Sequence, residues 1–173
     1  MKKISRYILV VTLLAGYYSA GAQRNIAEAT IAYDMTFQTG NGAPLTGATT
    51  TVFLKGNNSR TDMVSALGKE VTIFNSKSGN AVIIKEFSGQ KLMITLTKDN
   101  WKTKNKMYTD VKFELTDEYK IIGTYKTRKA IAKMPDGKSF EVYYAPDLVP
   151  SNKDYDATFT NLPGLAIEYE IES

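Results

Sequence analysis

Four glycines set the spacing of this chain: Gly56, Gly68, Gly79 and Gly89 lie 12, 11 and 10 residues apart. They sit in Gly56-Asn57-Asn58, Gly68-Lys69, Ser78-Gly79-Asn80 and Gly89-Gln90, with runs rich in Val, Ile, Phe and Thr between them. Short β-prone runs at this spacing, bounded by turn residues, predict an antiparallel meander. Upstream, Ala29, Ile31, Tyr33, Met35 and Phe37 alternate with Thr30, Ala32, Asp34, Thr36 and Gln38, which is the period of a half-buried strand. Residues 40–47 read as a loop.

Folding the runs at their turns puts Met63 opposite Phe74, Phe74 opposite Ile83 and Ile83 opposite Leu96. One face then carries Met63, Phe74, Ile83, Phe87, Leu92, Ile94 and Leu96. The other carries Val64, Val71, Ile73, Val82, Ile84 and Met93. An ordinary antiparallel sheet is polar on its solvent side. This one is apolar on both, so it needs cover on both or leaves a surface for a ligand or a partner.

The alternation breaks between Lys98 and Tyr108. Lys98, Lys102 and Lys106 share one helical face, Trp101, Asn105 and Tyr108 another, and Thr97 or Asp99 is placed to cap the start. This predicts a short helix covering one side of the sheet. The strand pattern resumes at Val111–Leu115 and continues through Tyr119–Lys133. It turns at Pro135-Asp136-Gly137, where proline presets φ and glycine accepts positive φ, and returns through Ser139–Ala145. Residues 146–163 read mostly as loop and Ala166–Ile171 as a last strand. The expected fold is mainly β: a strongly curved antiparallel sheet, half-barrel to barrel, with one or two short helices on its concave side.

The start of the chain reads as an address. Lys2, Lys3 and Arg6 precede an apolar run from Ile8 to Ala15, and Ala20-Gly21-Ala22 offers a small-x-small cleavage site. The run is far shorter than the ~20 residues a membrane span needs. Residues 1–22 are therefore expected to be a secretory signal peptide cleaved after Ala22, residues 23–173 a single domain, and the protein periplasmic or otherwise exported. Without a cysteine after the run, a lipid-modified N-terminus is excluded. The whole chain has a formal charge of +4 from 22 basic and 18 acidic residues. Three of the basic residues lie in the leader, so the remainder is close to neutral. No global field draws nucleic acid, and no such partner is expected.

The chain holds no His and no Cys. That closes triads, imidazole and thiolate metal sites, and redox pairs. The remaining matches are weak. Ser88-Gly89-Gln90-Lys91 has the S-x-x-K spacing of some acyl-enzymes, but that motif needs a helix and here spans a turn. Tyr125 and Lys129 have a Y-x-x-x-K spacing without a dinucleotide fingerprint. Gly40-Asn41-Gly42 fits no phosphate loop. Asp147, Asn152, Asp154 and Asp156 are oxygen donors that lack the ladder of a calcium loop. Asp117-Glu118 reads as a turn pair. No enzymatic activity, metal or cofactor is expected, and a carboxylate hydrolase is the weakest of the readings. The residues expected to meet an apolar ligand are Met63, Phe74, Ile83, Leu96 and Trp101.

Asn161-Leu162-Pro163-Gly164-Leu165-Ala166-Ile167-Glu168 resembles the hallmark of an exported Bacteroidetes family named for its Gly-Leu-Pro-Gly-Leu-Ile sequence (GLPGLI). Ile121–Ala130, Asp136-Gly137, Val142-Tyr143-Tyr144 and Leu54–Arg60 are similar to it and to related exported domains of unknown function. Asn161 stands at the first glycine, Ala166 at the final isoleucine, and Thr127 where many relatives have cysteine. The resemblance implies a curved half-barrel like that of the LolA and LolB lipoprotein carriers, and a lipid or lipoprotein ligand by fold analogy. The alternative is a structural or interaction module of the envelope with a packed core and another envelope protein as partner.

Overall fold

The computed structural model describes residues 23–37 and 45–171. The expected signal peptide and Gly40-Asn41-Gly42 lie outside them. Among the described residues no helix is long and apolar enough to cross a membrane.

The architecture is mainly β. Strands β1 (Arg24–Ile26), β2 (Glu28–Phe37), β3 (Leu45–Lys55), β4 (Asn58–Ser65), β5 (Gly68–Asn75), β6 (Ala81–Phe87) and β7 (Gln90–Leu96) precede helix α1 (Lys98–Lys104). Strands β8 (Lys112–Ile122), β9 (Tyr125–Lys133), β10 (Ser139–Ala145), β11 (Leu148–Pro150) and β12 (Leu165–Tyr169) follow it. Strands β2 to β7 form a six-stranded antiparallel meander in chain order. Strands β12, β10, β9 and β8 form a second antiparallel sheet, and β1 pairs parallel with β11. Both larger sheets are open, with β2 and β7 at the edges of the first.

The turns follow local chemistry. Ser88 (φ 49°) and Gly89 (φ 77°) form a two-residue turn between Phe87 and Gln90, the left-handed pair that matches the twist of its strands. At Pro135-Asp136-Gly137, Gly137 takes φ 88° and donates its N–H to Met134 O at 3.0 Å.

Several expected pairings shift. The β4–β5 reversal falls at Ala66-Leu67, so Met63 faces Glu70 rather than Phe74. Phe74 faces Ala81, and Ile83 faces Ile94 rather than Leu96. Every shift is an even number of residues, and side chains alternate with period two, so both expected face sets survive. The run from Tyr119 to Lys133 is not one strand: Gly123 (φ 57°) and Thr124 reverse it, and Ile122 pairs with Tyr125. Helix α1 ends at Lys104, which leaves Lys106 outside the expected lysine face.

The two sheets obey opposite rules. In the four-stranded sheet, Ala130, Ala132, Phe140, Val142, Tyr144 and Ala166 are buried together under Phe159 and Leu162 from the following loop. Its other face is laced with ion pairs, including Lys129–Glu141 at 2.7 Å and Lys120–Glu168 at 2.6 Å. That is the one-sided pattern of a solvated sheet. The six-stranded sheet buries Ala48, Val52, Leu54, Phe74, Ala81 and Ile83 on one face, yet exposes Phe53, Val64, Ile73 and Met93 on the other.

Candidate functional site

Four of the five expected ligand residues share the inner face of the six-stranded sheet: Met63 on β4, Phe74 on β5, Ile83 on β6 and Leu96 on β7. The fifth, Trp101, reaches that face from α1. The helix starts immediately after β7 because the Thr97 side chain accepts from Asn100 N–H at 3.4 Å, which satisfies one of the free donors of the first turn. It then folds back over the sheet. The Trp101 ring stacks on Phe74 with centroids 5.0 Å apart and planes at 21°. Lys98 lies over Gly79, where a Cβ would stand 2.6 Å from Lys98 Cγ. The glycine is required there by close approach as well as by its φ of 76°.

The five residues do not converge on one cavity. Phe74 and Trp101 line a cleft of about 490 Å³ between α1, the β5–β6 turn and the loop around Asp154 and Asn161. Its rim mixes Lys98 and Lys102 with Asp110 and Asp154, so neither charge sign dominates. Met63 lines a second pocket, about 350 Å³, at the far end of the same face, together with Phe37, Leu67 and Phe87. Lys85 and Glu70 at its edge pair at 2.7 Å and largely cancel. Ile83 is 2% exposed and serves as core. Leu96 stands opposite Ala81, half-buried. Chemically, both cavities offer apolar and aromatic wall surface with charges of both signs at the rim, a lining suited to an apolar ligand.

The oxygen donors of the 147–156 loop do not gather into a cage. Asp156 turns inward, where its carboxylate accepts from Thr158 N–H at 2.9 Å. Asp154 faces the first cleft, Asp147 is exposed, and the buried Asn152 amide has no hydrogen-bond partner. Among the described residues no three acidic side chains cluster as a metal site. Ser88 lies in the β6–β7 turn and Lys91 just beyond it on β7, and Lys129 is engaged with Glu141 and Glu118.

A polar cluster that sequence reasoning missed joins the two sheets. The Tyr33 hydroxyl donates to Ala166 O at 2.9 Å, and the Tyr33 and Tyr169 rings meet edge to face at 6.2 Å. Tyr155 and Asp156 complete the group. Burial pushes the Tyr33 and Tyr155 phenols well above their ordinary range and Tyr169 up to about 12. Burial likewise raises the Asp156 carboxyl, against the lowering effect of its bonds to Thr158. None of these four residues lines either cavity. Their period-two or loop contexts carry no sign of the meeting, since Tyr33 and Ala166 are 133 residues apart.

No protein-family model, no curated protein and no solved structure matches this chain.

Proposed function

We propose that this chain is a non-enzymatic exported envelope protein that binds an apolar ligand, an acyl chain of a lipid or lipoprotein, on the inner face of its six-stranded sheet. On this reading the sheet serves as one wall of a half-barrel of the lipoprotein-carrier type, α1 is a partial lid, and residues 1–22 are the export signal. The resemblance to the GLPGLI-type family belongs to the same reading.

The observation that supports it is the incomplete cover of that face. Ala48, Val52, Leu54 and Phe74 are buried, the last beneath the Trp101 ring, whereas Met63, Leu67 and Phe87 surround an open pocket with Phe37. Phe87 is 61% exposed and Leu67 66%, and exposure of large apolar groups around a concavity marks a binding surface.

The test is titration with a dansylated fatty acid, following dansyl emission and energy transfer from Trp101, the single tryptophan. Saturable binding is expected, with Met63→Lys and Phe87→Lys each weakening it at least ~10-fold through the cost of placing a charge in an apolar lining. Absence of saturable binding, together with a ligand-free mass for protein purified from its own envelope, overturns the proposal. The packed interaction module is then the surviving reading, which the exposed Phe53, Ile73 and Met93 of the outer face favour.

A further inference from the structure

The two larger sheets leave four open edges among the described residues, and three of them are obstructed. β8 carries Lys112, Glu114, Asp117, Glu118 and Lys120 and is broken by an irregularity between Leu115 and Tyr119. β12 is five residues long, begins buried, and has Ala166 O occupied by Tyr33. β2 has an irregularity between Met35 and Phe37 and carries Glu28 and Asp34. Bulges, charges and short length are the usual devices that keep sheet edges from pairing.

β7 carries only one of them, Lys91, at the end beside its turn. Leu92-Met93-Ile94-Thr95-Leu96 is uncharged and β-prone, without proline, glycine or bulge. Helix α1, which follows it directly, turns inward over Gly79 and Phe74. Met93 is 69% exposed and Leu92 56%.

We infer that β7 is a self-pairing edge, which joins a second copy of this chain by antiparallel β7–β7 addition centred on Met93. The occupant follows from register. In a two-residue hairpin the residues beside the turn, here Phe87 and Gln90, exchange both backbone hydrogen bonds, and such pairs alternate along the ladder. Gln90, Leu92, Ile94 and Leu96 therefore point their backbone groups at β6, and Lys91, Met93 and Thr95 point theirs outward. A two-fold axis through Met93 pairs Met93 with Met93 of the second copy, and Lys91 with its Thr95. All the outward-facing groups meet one another in that register.

The side chains agree with it. On the outer face, the Asp62–Val71–Ile84–Met93 row continues into Met93 and Ile84 of the second copy. On the inner face, Ile83 and Ile94 continue into the second copy's Leu92. No like charges are opposed, because Lys91 keeps its own partner Glu86 at 3.5 Å and meets a threonine. The contact is isologous and closed, so it makes a dimer and not a fibre. It is independent of the acyl-ligand proposal.

Sedimentation and light scattering of the full chain at micromolar concentration are expected to give twice the protomer mass. Met93→Lys places two lysines face to face on the axis and is expected to give monomer with an unchanged circular dichroism spectrum. Leu67→Lys, at an equally exposed site away from β7, should remain dimeric. The chain has no cysteine, so Met93→Cys supplies a single thiol, and mild oxidation should link two copies, since hydrogen-bonded antiparallel partners stand ~5.5 Å apart at Cα, within disulfide reach. A monomer at all concentrations, or a dimer that survives Met93→Lys, overturns the inference.

Discussion

Tyr33 and Ala166 fasten the two sheets together: the hydroxyl of one donates to the carbonyl of the other at 2.9 Å, across 133 residues of chain. Tyr33 lies mid-strand in β2, between the inward-facing Ile31 and Met35. It therefore supplies both the apolar body that packs on Tyr169 and the polar tip that crosses the layer. Tyr33→Phe keeps the body and strands the carbonyl. We expect a loss of about 1–2 kcal/mol, measured by urea denaturation, with an unchanged m-value.

The same cluster sets an alkaline limit. Tyr33, Tyr155 and Tyr169 all have folded values above the ordinary phenol value of 10.0, with Tyr169 at about 12. A group raised on folding contributes stability that is complete below its unfolded value and is lost as pH rises through its folded value. Stability should therefore hold below pH ~10 and fall steeply towards pH ~12. Phenolate absorbance should show delayed tyrosines that ionise together with loss of circular dichroism. Delayed ionisation that finishes while the fold persists would count against a cluster held neutral by the packing of the two sheets.

Gly164 lies in the Leu162-Pro163-Gly164-Leu165 turn, where the backbone passes so close to β10 that a Cβ would stand 2.2 Å from Ala145 O and 2.8 Å from Tyr144 Cδ2. The clash is with backbone and with a buried ring, neither of which can swing away. Gly164→Ala is expected to cost about 1–3 kcal/mol through overpacking, read from the thermal midpoint. Gly89→Ala, with open space around it, meets only the strain of its φ of 77° and should cost about 1 kcal/mol.

Phe74 and Trp101 attach α1 to the sheet. Phe74→Ala removes a 6%-exposed ring and should cost about 3–5 kcal/mol. Trp101→Ala should cost less because Trp101 is only half-buried. In the double mutant the two losses should fall short of additivity by about 0.5–1.5 kcal/mol, the coupling of an aromatic pair.

The sheet's two-faced character was legible in the sequence because face membership depends only on parity. Met63 was expected opposite Phe74 and stands opposite Glu70, yet both readings leave it on the Phe74 face. Exact register was not legible, because it depends on whether a turn closes at Ala66-Leu67 or two residues later, and both segments are compatible with a turn. The reversal at Gly123-Thr124 was hidden for a related reason: Ile121, Ile122 and Tyr125 flank it so closely that the apolar pattern runs on without a polar break. Of the candidate site, Phe74 and Trp101 could be read as neighbours through the helix that follows β7. The Leu67 and Phe37 contributions to the second pocket, and the Tyr33–Tyr155–Asp156 cluster, arise from contacts distant in sequence, which no local pattern encodes.

In the β2–β7 sheet every strand bonds to the strand next to it in the chain. No connection crosses another, so a two-strand unit can be gained or lost at a turn while the remaining pairs keep their partners. Such a sheet can change its breadth through gene duplication or deletion in steps of one hairpin, without passing through a misthreaded intermediate.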